Sequence, residues 1–124
     1  MSVFKGQKSI IELTPANFKT NKTITHPLLT ASKKGIVSFT CSWCGHCRNM
    51  VKSYSEAADA CGSSFLFFNV DCVKYPELSN TLGIQGYPTI KYVDKNGKMY
   101  KEFAGDRSRD SLLGGVCKES RVCM

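Results

Sequence analysis

The sequence predicts an α/β fold, a mixed central β-sheet flanked by helices on both faces, and three observations carry that prediction. Strand-like and helix-like stretches alternate along the chain, separated by short punctuation. Two dense apolar runs, Ile36 to Phe39 and Phe65 to Phe68, have the length of buried strands. The last two strand-like stretches flank Lys95-Asn96-Gly97, a hairpin turn signal.

Taken in order, Ser9 to Leu13 reads as a strand, and Thr14-Pro15 supplies an N-cap followed by proline at the first position of a helix. Gly35 to Cys41 reads as a buried central strand. From Cys44 to about Cys61, Met50, Val51, Tyr54, Ala57, Ala58 and Cys61 fall on one face of a long helix that Gly62 stops. Phe65 to Asp71 is a further strand, and Pro76 to Leu82 a short helix ended by Gly83. Pro88 to Asp94 and Lys98 to Phe103 form the hairpin, and Ser108 to about Lys118 closes the chain as a helix. Strand, helix, strand in succession implies a right-handed crossover and a parallel pair. The carboxyl ends of Gly35–Cys41 and Phe65–Asp71 then share one sheet edge, where open α/β folds place their sites, so Cys44 and Cys72 are expected there together.

A chain of 124 residues, 42% hydrophobic and 22% charged, fits one domain covering 1–124. No apolar run approaches the roughly 20 residues of a membrane span, so a soluble chain is expected, with no membrane partner. Met1 to Gln7 holds Lys5 but no apolar stretch of signal-peptide type. The expectation is therefore a cytoplasmic protein, with the lumen of the endoplasmic reticulum as its place only if a signal has been removed. In the cytosol seven cysteines argue for chemistry rather than for a disulfide scaffold, and their odd number leaves one thiol unpaired within a monomer. The net charge of +7 is spread along the chain, and Arg107 with Arg109 is too short a basic stretch for nucleic acid. Faster encounter with acidic partners is the milder consequence.

The chemistry concentrates in Trp43-Cys44-Gly45-His46-Cys47, between an apolar strand and a helix. Two cysteines three apart at a helix start lie within bridging distance, and unpaired N–H groups there stabilise a thiolate on the first sulfur. A redox-active dithiol is the leading reading. Cys41, Cys44 and Cys47 also make a C-x-x-C-x-x-C series, but the ferredoxin pattern needs a cysteine at the position of Val51, and no metal or other cofactor is expected.

Together with two further motifs, this segment resembles the thioredoxin superfamily, and within it a single catalytic (a-type) domain of protein disulfide isomerase. Gly86-Tyr87-Pro88-Thr89 resembles the family's cis-proline loop, and Phe103-Ala104-Gly105-Asp106-Arg107 is similar to an aromatic-x-Gly-x-Arg signature of the isomerase branch. The resemblance runs from about Glu12 to the final helix. It implies a thioredoxin fold and a thiol–disulfide oxidoreductase acting on protein thiols and disulfides, with glutathione or a recycling reductase or oxidase as further partners. Cys44 is then the nucleophile, Cys47 the shielded thiol that resolves the mixed disulfide, and Gly45 the small residue between them with His46. The imidazole of His46 favours the reduced form and so a more oxidising disulfide. Isomerase-type sites lie near −180 mV and thioredoxins near −270 mV, a gap of roughly 4 kcal/mol. Pro88 would follow a cis bond and face the dithiol, leaving the Tyr87 backbone to pair with an extended substrate. Trp43 either presents an apolar rim to unfolded chains or packs against Asp71.

The pattern breaks at one place. The family's buried acid, six residues before the first active cysteine, is Ser38 here, and the lysine that accompanies it is absent from its expected positions, Phe67 and Asn69. Loss of both leaves no unpaired buried charge, so the fold is spared and proton transfer from Cys47 is what slows. Ser38 through a water, or the approach of Arg107, would then activate Cys47, and mixed disulfides would persist.

Of the other cysteines, Cys41 and Cys61 read as small core residues, Cys72 as an accessory thiol at the active edge, and Cys117 with Cys123 as a pair within the chain or across a dimer. A monomer is expected, with a disulfide-linked dimer as the alternative. Oxidation or isomerisation of protein disulfides is the leading activity. The alternatives are a thioredoxin-like reductase and a non-catalytic peptide-binding module on the same fold. A lone domain of this type is also similar to small thiol oxidoreductases of large DNA viruses, which makes a virion-associated role the alternative setting.

Overall fold

The computed structural model describes residues 2–29 and 33–120. Its five strands are β1 (Ile11–Leu13), β2 (Gly35–Thr40), β3 (Leu66–Asp71), β4 (Thr89–Val93) and β5 (Met99–Glu102). They lie in the order β1-β3-β2-β4-β5. β1, β3 and β2 are parallel, whereas β4 runs antiparallel to β2 and β5 antiparallel to β4. The sheet is mixed as expected, and the hairpin forms one edge. β2 and β3, the apolar runs, are buried at every position, as strands covered on both faces must be.

Helices α1 (Gly45–Asn49), α2 (Val51–Cys61) and α4 (Arg109–Ser120) share one face of the sheet, where Ile36, Phe67, Tyr54, Met50, Leu112 and Val116 pack together. α3 (Pro76–Thr81) lies with the opposite face, placing Leu78 against Val37, Phe39, Phe68 and Val70. Gly62 ends α2 at φ 58, the conformation that makes glycine the usual helix stop. Asp94 Oδ1 accepts the N–H groups of Asn96 and Lys98 at 2.8 and 2.9 Å, which closes the hairpin turn.

Two expectations need correction. Thr14-Pro15 opens only a single 3-10 turn, Pro15–Asn17, rather than a helix. Asn17 Oδ1 takes the Thr14 N–H at 2.9 Å and its Nδ2 donates to the Thr25 carbonyl at 2.9 Å, so local side-chain bonds replace the helical ladder. The long helix from Cys44 is two helices divided at Met50. There the Met50 N–H turns back to the Cys47 carbonyl at 3.3 Å, a tighter i to i−3 bond, while a buried Met50 side chain holds the turn against the core. No glycine or proline announces this division.

Candidate active site

Cys44 occupies the N-cap of α1, extended at φ −87 and ψ 123, so its side chain projects from the end of the helix. It is half-buried, whereas Cys47, one turn inside, is fully buried. The asymmetry has a direct electrostatic result. The Cys47 N–H faces the Cys44 sulfur first of all and outweighs the opposing cost of burial, and with the His46 N–H, the Cys47 thiol and the charge of Arg48 adding to it, the Cys44 thiol is held below its ordinary range. Burial pushes Cys47 the other way, up to about 12, although the Cys41 N–H donates to its sulfur at 3.4 Å. Two thiols one helical turn apart thus differ in readiness to ionise because one faces donors and the other faces the core.

The second motif completes the edge. The Tyr87–Pro88 peptide bond is cis. The Cys44 Sγ lies 3.6 Å from the Tyr87 carbonyl oxygen, which brings residues 43 apart in sequence into contact. A groove of about 490 Å³ runs beside them, lined by Gly86, Tyr87, Pro88, Thr89 and Lys91 among others. Trp43 stands 72% exposed next to Cys44. Asp71 is buried and uses its Oδ1 to accept the N–H groups of Val73 and Lys74 at 3.1 and 3.3 Å.

Arg107 lies on the exposed loop before α4, where its carbonyl accepts from Ser53 Oγ at 2.5 Å. That contact ties the loop to α2, and no bond of the guanidinium is seen to the dithiol. Cys41 and Cys61 are buried as expected. Cys72 reaches the predicted edge but is 5% exposed, and burial pushes its thiol up to about 11. Its thiol is therefore shielded at that edge. Cys117 lies half-buried on α4, and its suggested partner Cys123 falls outside the described residues.

One arrangement escaped the sequence. Ser38, completely buried, pairs in register with Asn69 across β2 and β3. The Ser38 and Thr40 hydroxyls both donate to Asn69 Oδ1 at 2.8 Å, and Asn69 Nδ2 donates to Glu12 Oε1 at 2.9 Å. The position of the family's buried ion pair is thus filled by a neutral network that ends on an exposed carboxylate. Alternation marks Ser38, Thr40 and Asn69 as one face of neighbouring strands, a signal present in the sequence; Glu12 could be added only once β1 was known to pair with β3. Arg48 was also missed: its Nη1 donates to the Ser42 carbonyl at 3.2 Å, holding the guanidinium over the active turn.

Among known proteins, a Schizosaccharomyces pombe protein named as a protein disulfide-isomerase is 38% identical over 102 residues, 82% of this chain and 20% of its own. Human protein disulfide-isomerase A6 is 28% identical over 119 residues, 96% of this chain and 26% of its own. The chain therefore spans about a quarter of the length of these curated relatives. Among solved structures, the J-Trx1 fragment of ERdj5 superimposes with a TM-score of 0.79 at 21% identity, covering 96% of this chain and 55% of that one. Human ERp44 gives 0.74 at 22% identity over 89% of this chain and 29% of its own. These structures share the fold. The family model described as Thioredoxin matches residues 9–118, which include the cysteine pair, the proline loop and every strand of the sheet, and on that match the chain belongs to the thioredoxin family.

Proposed function

We propose that this domain, residues 1–124 acting as one unit, is a thiol–disulfide oxidoreductase that exchanges disulfides with protein substrates. The observation that carries the reading is the opposed tuning of Cys44 and Cys47, one sulfur lowered and set against the Tyr87 carbonyl of the proline loop, the other raised and buried. The Cys44 thiolate attacks a partner disulfide, forming a mixed disulfide and releasing the partner's thiolate. Cys47, losing its proton, then attacks the Cys44 sulfur, which frees the partner's second thiol and leaves the Cys44–Cys47 disulfide. The reverse sequence oxidises a reduced partner.

Arg48 adds positive charge near Cys44, and Gly45 and His46 form the turn between the cysteines. Trp43 supplies apolar contact for unfolded chains, and the Tyr87 backbone beside Pro88 pairs with extended substrate. Glutathione, or a recycling enzyme, resets the pair. Direction follows the poise of the compartment: reducing surroundings run the domain as a reductase, oxidising ones as an oxidase or isomerase. Arg107, exposed on its loop, assists Cys47 by its charge.

The Ser38–Asn69 pair supports a slow second half-reaction, because neither side chain is an acid that can take the Cys47 proton. Covalent complexes with partners should outlast those of family members that keep the acid. The test is a titration of the Cys44–Cys47 couple against glutathione buffers, combined with oxidative refolding of a reduced protein. A potential near −180 mV with refolding activity supports oxidation and isomerisation. A pair that never links at any glutathione ratio rejects the proposal, and a role unaffected by replacing both cysteines would favour a peptide-binding module.

A further inference from the structure

Behind the active pair lie two cysteines that the exchange at Cys44 leaves unused. Cys41 follows β2 and Cys72 follows β3, each one step beyond the last paired positions, Thr40 and Asp71. The Cys72 N–H donates to the Thr40 carbonyl at 2.9 Å, which carries the parallel register onward to them. Neighbouring strands lie about 4.8 Å apart, inside the roughly 4.4–6.8 Å of Cα separation that a disulfide spans. Cys72 packs with Phe68 and Val70, and Cys41, the residue after β2, lies near enough to act electrostatically on the Cys72 sulfur.

Both are buried, at 1% and 5% exposure, so bulk oxidants reach them poorly. The active pair reaches them from within. The Cys41 N–H contacts the Cys47 sulfur at 3.4 Å, so the Cys41 side chain starts one backbone atom from that contact. On the other side, the Tyr87 and Ser79 hydroxyls, joined to each other at 2.6 Å, face the Cys72 sulfur and favour its ionised form against the cost of burial.

Resting on the reading of Cys44 and Cys47 as a redox pair, we propose that Cys41 and Cys72 form a second dithiol–disulfide couple, charged internally by the Cys44–Cys47 disulfide. The Cys41 thiolate attacks the Cys47 sulfur, making the Cys41–Cys47 bond and breaking Cys44–Cys47. Cys44 departs as a thiolate, the better leaving group because its proton is the more loosely held. The Cys72 thiolate then attacks the Cys41 sulfur, making Cys41–Cys72 and releasing Cys47. The two protons of Cys41 and Cys72 pass to Cys44 and Cys47, two electrons move with them, and no outside oxidant enters. A domain so charged holds a second disulfide in reserve, and Cys44 is free to be oxidised again.

The experiment starts from reduced full-length chain, adds oxidised glutathione, quenches with acid and maps disulfides in the monomer band of a non-reducing gel. Trypsin cuts after Lys34, Arg48, Lys52 and Lys74, so peptide 35–48 carries Cys41, Cys44 and Cys47, and peptide 53–74 carries Cys61 and Cys72. The expected result is the two peptides joined through Cys41 and Cys72, with Cys44–Cys47 closed inside the first. C72S should abolish the join and keep the inner loop. C44S/C47S should slow formation of the join at least about tenfold, since only glutathione then remains as oxidant. An inner loop without the join, at every glutathione ratio, overturns this inference alone. Absence of both overturns the proposed function too, and an equal rate in C44S/C47S overturns the internal route.

Discussion

Replacing Ser38 with glutamate should return a proton acceptor beneath the resolving thiol and speed release of covalently held partners. Burial pushes the Cys47 thiol up to about 12 in the reduced pair, so the second half-reaction waits on proton loss. General-base assistance contributes about 10²- to 10⁴-fold, and a carboxylate in a site with 0% exposure has its own proton affinity raised toward the useful range. A gain of about 10² in the resolution rate at pH 7 is therefore expected. The substitution has a structural cost. Asn69 Oδ1 now receives the Ser38 hydroxyl at 2.8 Å and would meet a carboxylate instead, while flipping the amide would break the 2.9 Å bond to Glu12. An unpaired buried charge costs about 3–5 kcal/mol, so S38E/N69K, which restores a pair, is the companion variant. Reaction of the reduced protein with an aromatic disulfide releases one chromophore as Cys44 is captured and a second as Cys47 resolves. The second phase should accelerate in both variants while the first stays within about threefold. A second phase unchanged in a folded S38E or S38E/N69K would refute the reasoning that proton removal limits resolution.

Five further outcomes are expected. Because Cys44 is held below the ordinary thiol range, its alkylation should persist to lower pH than that of a free thiol, and R48A, which removes the smallest contribution, should move the midpoint slightly upward. The same depressed value means that Cys44 stabilises the reduced fold at pH above the unfolded thiol value and loses that contribution as pH falls through the folded one; urea titrations of wild type and C44A across that window should converge at the acid end. Y54F removes the buried hydroxyl that donates to the Phe68 carbonyl at 2.8 Å and should cost about 1–2 kcal/mol in urea unfolding without altering the redox potential. G97A places a Cβ on the Ile24 carbonyl at a position with φ 85 and should lower stability by about 1–3 kcal/mol. W43A should leave the melting temperature within a degree or two, since the ring is mostly solvated, yet raise KM for a peptide disulfide by about 5- to 30-fold, a change that insensitivity of KM would contradict.

Local signals in the chain were enough for much of this protein. The strands around Ile36 and Phe67 follow from dense apolar runs, the first interrupted only by Ser38, that a sheet covered on both faces buries, and the hairpin follows from Lys95-Asn96-Gly97. Gly62 stops its helix because a single residue's backbone freedom suffices for that. The dithiol was legible too, since its spacing and its place between strand and helix are matters of a few consecutive residues. What lay beyond reach depends on residues far apart in the chain. The 3-10 turn at Pro15 is decided by Asn17 bonding to Thr25, and the division at Met50 by packing on a sheet. The opposed states of Cys44 and Cys47 come from burial and from which N–H groups face each sulfur, and the Ser38–Asn69–Glu12 network needs three strands in register. Periodicity reports how one segment meets solvent; electrostatics and proton transfer depend on what another segment brings to within about 3 Å, and only the assembled sheet decides that.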